Sequence, residues 1–222
     1  MNIIEAIKTR GSTRAFFHKE VPRELIEKIL ETARWAPSGK NIQPWHVAVV
    51  SGKSREQLCE KILKAFQSQQ PKNPDYDYYT TQEHAVHKAR QFACGAALYR
   101  ALGVDYADKE ARLKQWKKNY SAFDAPVILF FFLDNALEKG SWLDLGMFIQ
   151  NVMLSALEFN LSTCPQASLA EYPDIVRDAL GEKFHDKIVV CGMALGYADT
   201  LHPVNQYRTE RESVDGFTEW YQ

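Results

Sequence analysis

The sequence lacks the residue patterns that hold metal ions, cross membranes or attract nucleic acids. Its four cysteines and six histidines are scattered, and they form neither a CxxC pair nor an HExxH pair. We therefore expect no structural or catalytic metal site. No apolar run approaches the length needed to span a bilayer, so we expect no membrane partner. The formal net charge is only -1, which excludes a strong overall attraction to nucleic acid.

The sequence also lacks a secretion signal and a disulfide framework. Its first residues show neither the basic start nor the long apolar run of a signal peptide. The cysteines do not have the dense spacing of a small secreted fold, so we expect reduced thiols in a cytoplasmic protein. Cys164 has no histidine beside it in the sequence, and a nucleophilic role for it has little support.

What is present is the composition of an ordinary globular protein. The chain has 222 residues, of which 45% are hydrophobic and 25% charged, and this length can bury a sizeable core. No linker, internal repeat or low-complexity tract divides it, so we expect a single domain over residues 1–222. Apolar periodicity predicts helices at 2–8, 22–33, 55–66, 83–103, 108–119, 141–160 and 172–180, and buried strands at 46–50, 125–133 and 187–197. Residues 67–81 are predicted to form a surface loop or lid, and 161–168 a connection.

Two arginines enclose a short polar stretch directly after the first predicted helix, Arg10-Gly11-Ser12-Thr13-Arg14. The planar guanidinium of arginine matches the oxygens of a phosphate group in a two-pronged geometry. Gly11 lets the backbone approach a ligand closely, and Ser12 adds a hydroxyl donor. Taken alone, the pentapeptide is more simply explained by two solvated arginines, because a motif this short is weak.

A second polar stretch, residues 36–45, ends the second predicted helix and precedes the first strand. Two prolines and a glycine exclude regular helix there. Ser38, Asn41 and Gln43 place a hydroxyl and two amides on this irregular backbone. Such groups can recognise the polar edge of a heterocycle, and they also serve structural turns. From these residues alone the two interpretations stay open.

The predicted helix at 141–160 and the C-terminal segment both need a covering surface. The helix is apolar on nearly every side, which is typical of a central helix or a subunit interface. Asp144 and Gln150 interrupt its apolar character and require partners. Residues 203–222 cannot form a core of their own, so Val214, Phe217 and Trp220 should pack on the body or on another subunit.

Three separated segments together resemble the FMN-dependent nitroreductase family. They are Arg10–Arg14, the stretch 36–45, and the closing sequence with Gly196-Tyr197, Pro203-Val204-Asn205 and Arg208-Thr209-Glu210-Arg211. The resemblance runs nearly end to end, and about 65–120 is the variable part, where members diverge. Gly11 departs from the pattern, since many members carry a second arginine or a histidine there; backbone contact remains possible.

The resemblance implies an α+β fold with a central, mostly antiparallel sheet flanked by helices. It also implies an intertwined homodimer in which the C-terminal tail, residues 203–222, extends across the partner. Two flavins would lie at the subunit interface. These implications agree with the buried strands, the apolar helix and the unsupported tail, although the residues alone do not give the strand order.

The resemblance further implies that FMN and NAD(P)H carry the chemistry and that no side chain is a catalytic group. Arg10, Gly11 and Ser12 are assigned to the FMN phosphate and ribityl chain with a tail arginine, for which Arg211 aligns best and Arg208 is the alternative. Arg14 is expected near flavin N1, where its charge would stabilise the reduced form. Pro37, Ser38, Asn41 and Gln43 would contact the isoalloxazine or ribityl, some from the other subunit, and Pro165, Gln166 and Ala167 would lie on the opposite side.

The expected reaction is the NAD(P)H-dependent reduction of nitroaromatics or quinones by a ping-pong mechanism. The nicotinamide would lie on the flavin itself, and the sequence indeed contains no GxGxxG fingerprint. Aromatic residues are dense between 67 and 120, which favours a planar aromatic substrate. Two alternatives stay open: a dehalogenase-like or flavin-fragmenting enzyme of the same fold, and a non-enzymatic flavin-binding protein.

Overall fold

A four-stranded antiparallel sheet organises the protein. The structure is a computed structural model, and it describes residues 1–79, 82 and 84–222. The strands are β1 (His46–Ser51), β2 (Val127–Asp134), β3 (Ser162–Gln166) and β4 (Lys187–Gly196). Their order in the sheet is β1-β2-β4-β3, and each neighbouring pair is antiparallel. The prediction of a mostly antiparallel sheet flanked by helices is confirmed.

Seven α-helices occur within the described residues. They are α1 (Ile3–Thr9), α2 (Arg23–Ala33), α3 (Gly52–Gln67), α4 (Ala85–Ala101), α5 (Lys109–Lys117), α6 (Lys139–Glu158) and α7 (Pro173–Leu180). Each predicted helix has a counterpart with ends that differ by a few residues. The predicted start of α4 at Glu83, and the end of the predicted loop at Thr80 and Thr81, lie outside the described residues. None of the described helices combines the length and apolar character needed to cross a bilayer.

The core fills both faces of the sheet, because the central strand β2 is apolar at every position but its last. Ile128, Phe130 and Phe132 face α3 and α7 in one cluster, whereas Leu129 and Phe131 face α2 and α6 in the other. A continuous apolar run is typical of a strand covered on both faces. This arrangement places α6 and β3 side by side, next to the N-terminal segment.

The prediction that residues 161–168 form a connection is wrong. Ser162–Gln166 is the edge strand β3, which pairs with β4 from Ser162 opposite Gly196 to Gln166 opposite Gly192. Pro165 is the fourth of the five residues of this strand, and proline has no backbone N–H to donate to a neighbouring strand. Proline is tolerated on an edge strand, and the polar sequence of β3 carries no apolar pattern that predicts pairing.

Candidate functional site

The Arg10–Arg14 stretch leaves α1 and runs beside the edge strand β3. The backbone N–H of Arg10 closes α1 by donating to the carbonyl of Ala6 at 3.0 Å. Ser12 then forms an isolated parallel bridge with Thr163, and the N–H of Thr13 donates to the carbonyl of Thr163 at 3.0 Å. These bonds hold the backbone of Ser12 and Thr13 along β3.

The C-terminal tail fixes the same stretch from the other side. The N–H of Arg14 donates to Asn205 Oδ1 at 2.8 Å, across 191 positions of sequence. The amide nitrogen of Asn205 donates to the carbonyls of Ala15 and Asp199, both at 2.8 Å. Arg208 donates to the carbonyls of Arg10 and Lys8 at 3.0 and 2.5 Å. The two ends of the chain therefore build one site.

Between these segments lies a cleft of about 690 Å³ with a strongly cationic lining. No described residue that lines the cleft is aspartate or glutamate, and none of its arginines forms an ion pair with a described residue. The Nε of Arg10 is buried and has no hydrogen-bond partner in the described part of the chain. We call this site the cationic cleft; its positively charged lining residues are Lys8, Arg10, Arg14, Arg208 and Arg211.

Crowding of like charges identifies the kind of ligand that suits the cleft. Burial lowers the pKa of Arg10, and the nearby guanidiniums of Arg211 and Arg208 lower it further. Because arginine stays protonated, the protein retains this repulsion until an anion neutralises it. A phosphate group fits the cleft: it offers several acceptor oxygens to arginine forks and a partner for the orphaned Arg10 Nε.

Gly11 is explained by close packing against Arg208. A Cβ at position 11 would lie 2.6 Å from Arg208 Nη1, well inside van der Waals contact. Any side chain there would displace the guanidinium that bonds the carbonyl of Arg10. Gly11, where the sequence departs from the family pattern, thus lies beside Arg208, which enters the cleft from the tail.

Some of the predicted site residues line the cleft, and others lie elsewhere in the structure. Arg10, Gly11, Ser12, Arg14 and both candidate tail arginines line it. Arg208 donates to the carbonyl of Arg10, whereas Arg211 is exposed and donates to its neighbours in the tail, Thr209 and the carbonyl of Glu210. The residues predicted between 37 and 43 and between 165 and 167 do not line it.

The loop that carries Ser38, Asn41 and Gln43 is a strained turn against the first half of α6. The N–H of Gly39 donates to Asp144 Oδ2 at 3.2 Å, which supplies the partner that Asp144 requires. Ser38 Oγ accepts from the N–H of Gln43 at 3.0 Å. Lys40, Asn41 and Gln43 all have positive φ angles near 50°, a costly conformation for residues other than glycine. Pro37, Asn41 and Gln43 are exposed, and Gln43 Nε2 donates to the carbonyl of Asn41 at 3.2 Å.

The end of β3 places Pro165, Gln166 and Ala167 near the 3₁₀ turn before β2. Gln166 is 5% exposed, and its Nε2 donates to the carbonyl of Asn119 at 2.9 Å. Its Oε1 is buried without a partner in the described residues. Cys164 is fully enclosed, and burial raises its pKa, which opposes a role as a thiolate nucleophile.

Sequence reasoning missed two residues that the tail contributes to the cleft. Asn205 belongs to the segment that carries the family resemblance, but its bond to Arg14 could not be inferred from one chain. Tyr207 lines the cleft, and its hydroxyl accepts from Arg14 Nη1 at 3.2 Å. Burial raises the pKa of Tyr207. Nothing in the local sequence distinguishes it from the other tyrosines.

The family model, the related sequences and the related structures that resemble this chain agree with one another. A family model described as the nitroreductase family matches residues 7–197. The 4-nitrobenzoate reductase of Pseudomonas putida is 36% identical over 212 residues, which cover 96% of this chain and 92% of that protein. The structure of the FMN and NADPH-dependent nitroreductase NfnB from Sphigopyxis sp. strain HMH matches all of both chains, with a TM-score of 0.95 and 37% identity. A second structure is that of the FMN-dependent nitroreductase NfnB from Mycobacterium smegmatis in complex with NADPH. It matches 99% of this chain and 97% of that one, with a TM-score of 0.93 and 32% identity.

Proposed function

The chain belongs to the nitroreductase family, and we propose that it is an FMN-dependent oxidoreductase that uses NAD(P)H to reduce nitroaromatic or quinone-type planar acceptors. The observation that carries the proposal is the cationic cleft, whose arginines form no ion pair with a described residue and whose Arg10 Nε is buried without a hydrogen-bond partner in the described part of the chain. The relatives support the same reaction, since those compared are named as nitroreductases or as a 4-nitrobenzoate reductase, and two as FMN-dependent.

In this proposal the residues of the cleft bind the phosphate and orient the cofactor. Arg10, Arg208 and Arg211 neutralise the phosphate, and Ser12 adds a hydroxyl donor beside the backbone at Gly11. Bound FMN would supply the hydride and electron transfer from NAD(P)H to the acceptor, chemistry that no amino-acid side chain can carry. Arg14 holds a fixed positive charge where negative charge develops on reduction, which favours the reduced state.

The remaining predicted residues would complete the site from another direction. Pro165, Gln166 and Ala167 belong, in this proposal, to the opposite side of the isoalloxazine. Pro37, Ser38, Asn41 and Gln43 lie outside the cationic cleft, on a loop with outward-facing polar groups. We propose that the loop contacts the flavin of a second copy of the chain, which is how both sets of residues could serve one cofactor.

A homodimer would also cover the apolar side chains that the single chain exposes. On α6, Leu143 is 73% exposed and Met147 39%, and in the tail Phe217 and Trp220 are 69% and 76% exposed. Large apolar patches of this kind mark interaction sites. We propose one domain over residues 1–222, with 65–120 as the variable substrate segment and 203–222 as the tail that embraces the partner. Free cysteines in the described residues are compatible with a cytoplasmic location.

The acceptor pocket should favour planar aromatic compounds. The segment 65–120 supplies Phe92, Tyr99 and Tyr106, with Phe92 and Tyr106 in edge contact at a centroid distance of 5.6 Å. Arg112 lies over the Tyr106 ring, 4.4 Å from its centroid, so one of the cations in this segment is held among aromatic rings. Similarity to a 4-nitrobenzoate reductase makes a nitrobenzoate the first anionic acceptor to compare with nitrobenzene.

The experiment that tests the proposed function has two parts. The purified protein should be yellow and should release a compound that co-elutes with FMN on HPLC. It should also oxidise NADH or NADPH in the presence of nitrobenzene, a nitrobenzoate or a small quinone. Bound FMN without turnover of any of the three would contradict the proposed acceptors and favour the dehalogenase-like alternative. Absence of FMN after reconstitution would contradict the proposal itself.

A further inference from the structure

The guanidinium of Arg14 is held from three directions inside the cationic cleft. Its Nη1 donates to the carbonyl of Ser12 and to the hydroxyl of Tyr207, both at 3.2 Å. Its Cζ lies 6.0 Å from the centroid of the Phe123 ring, at the limit for a cation–π contact. The Ser12 carbonyl and the Phe123 ring would remain if the tail were absent. The bond to Tyr207 is the contact that ties this charge to the C-terminal segment.

One short segment of the tail contacts both the backbone and the side chain of Arg14. Asn205 accepts from the backbone N–H of Arg14, while Tyr207, two residues later, accepts from its side chain. Asn205 is the last residue of the 3₁₀ turn Pro203–Asn205, in which the N–H of Val204 donates to His202 Nδ1 at 3.2 Å, so the turn holds the first of these two contacts in place. The first contact fixes the backbone of Arg14, and the second restricts the positions that its long, flexible side chain can take.

The direction of the Arg14–Tyr207 bond is fixed by the chemistry of the two groups. Arginine has donors and no acceptor, so the phenolic oxygen accepts. Burial raises the pKa of Tyr207 and outweighs the opposite influence of Arg14, so the phenol stays neutral. A phenolate would cancel the positive charge of Arg14, whereas the neutral phenol orients that charge and leaves it intact.

We propose that Tyr207 is a positioning residue that orients the Arg14 guanidinium and thereby helps to set the reduction potential of the bound flavin. The inference rests on the proposed function, in which Arg14 stabilises the reduced cofactor. It assigns to the tail an electrostatic role that is separate from its phosphate-binding arginines. Removing the Tyr207 hydroxyl leaves the charge in place and releases its orientation.

The test compares the flavin midpoint potential of the holoenzyme with that of Tyr207→Phe by spectroelectrochemistry. We expect the variant to have a lower potential than the wild type, and Arg14→Ala to lower it further. The affinity of Tyr207→Phe apoprotein for FMN should stay within about threefold of the wild type, because the phosphate contacts remain. Tyr221→Phe is the matched control, since Tyr221 is 92% exposed in the same tail; its potential should not change.

A double-mutant cycle separates positioning from a general structural effect. If Tyr207 acts through Arg14, Tyr207→Phe should cause no further shift when Arg14 is already alanine, so the two shifts should not add. Additive shifts would contradict the proposal, as would an unchanged potential in Tyr207→Phe. These failures are distinct from failure of the proposed function, which is judged by FMN content and NAD(P)H turnover of the wild-type protein.

Discussion

The cationic cleft and the loop of residues 37–43 are both expected to serve one cofactor, yet they are built in opposite ways. The cleft joins the two ends of the chain, and Arg14, Asn205 and Arg208 bond across about two hundred positions. The loop is local: its bonds run within itself and to Asp144 on α6, and three of its residues have positive φ angles. The lining of the cleft thus comes from the two ends of one chain, whereas the loop exposes the side chains of Asn41 and Gln43.

The largest effect should come from removing the tail, because this destroys the cleft and leaves the loop untouched. A chain that ends before Pro203 loses Asn205, Tyr207, Arg208 and Arg211. We expect loss of bound FMN and reduced solubility, measured by absorbance of the purified protein and by size-exclusion chromatography. A second truncation that ends at Glu212 keeps these four residues and removes Phe217 and Trp220; we expect it to keep FMN. A soluble, monomeric and yellow protein from the first truncation would refute this role of the tail.

Arg10→Ala should have the next largest effect, since it deletes a half-buried arginine whose Nε is buried and has no hydrogen-bond partner among the described residues. Loss of a desolvated, charge-assisted contact to phosphate should cost roughly 2–5 kcal/mol, or more than tenfold in FMN affinity. Titration of apoprotein with FMN measures it. Arg34→Ala is a suitable control, because Arg34 is on the surface, where it pairs with Glu31 and lies over the Trp35 ring. Equal affinities for Arg10→Ala and Arg34→Ala would exclude Arg10 from the phosphate site.

Gly11→Ala should weaken FMN binding less than Arg10→Ala does. The added Cβ would come 2.6 Å from Arg208 Nη1 and would push that flexible side chain away from the carbonyl of Arg10. Because Arg208 would move away from the proposed phosphate position, its contact to phosphate should weaken by about 1–2 kcal/mol, roughly five- to thirtyfold in affinity. Gly140→Ala is the control, because a Cβ there meets nothing within 4 Å. An unchanged affinity in Gly11→Ala would show that Arg208 does not need its present position.

Ser38→Ala should have the smallest effect on FMN affinity, because Ser38 lies outside the cationic cleft. Its main effect should be on the stability of the fold. It removes the hydroxyl that accepts from the N–H of Gln43 and supports the strained turn. We expect a loss of about 1 kcal/mol in the free energy of unfolding, read from denaturant titration, and FMN affinity within about threefold of the wild type. Ser54→Ala, at an exposed site on α3, is the control. A loss of FMN affinity as large as that of Arg10→Ala would contradict the claim that the cationic cleft contributes more to FMN affinity than the loop does.

The sequence predicts the parts of this protein that depend on local pattern. The apolar run of β2 and the apolar periodicity of α2 and α3 each specify their own element. The edge strand β3 was missed because Ser162–Gln166 is polar and contains Pro165, and only the neighbouring β4 makes it a strand. Register and pairing of this kind depend on distant residues, which a single sequence does not reveal.

The candidate site divides in the same manner. The residue types of the Arg10–Arg14 stretch are compatible with an anion site, but alone they are more simply explained by solvated arginines, and the family resemblance supplied both the phosphate assignment and the tail arginines. The contacts of Asn205 and Tyr207 with Arg14 could not be predicted, because asparagine and tyrosine have no pattern that specifies a partner 191 or 193 positions away. The loop 37–43 was associated with the cofactor by resemblance alone, and its separation from the cleft is visible only in three dimensions.

The measurement that tests the central claim most directly compares FMN with riboflavin, which lacks the phosphate. Apoprotein of the wild type and of Arg10→Ala is titrated with each flavin at the same ionic strength. We predict that the wild type binds FMN far more tightly than riboflavin, and that Arg10→Ala loses most of this preference while its affinity for riboflavin changes little. Equal affinity of the wild type for the two flavins, or an equal loss for both in Arg10→Ala, would contradict the assignment of the cationic cleft to the phosphate.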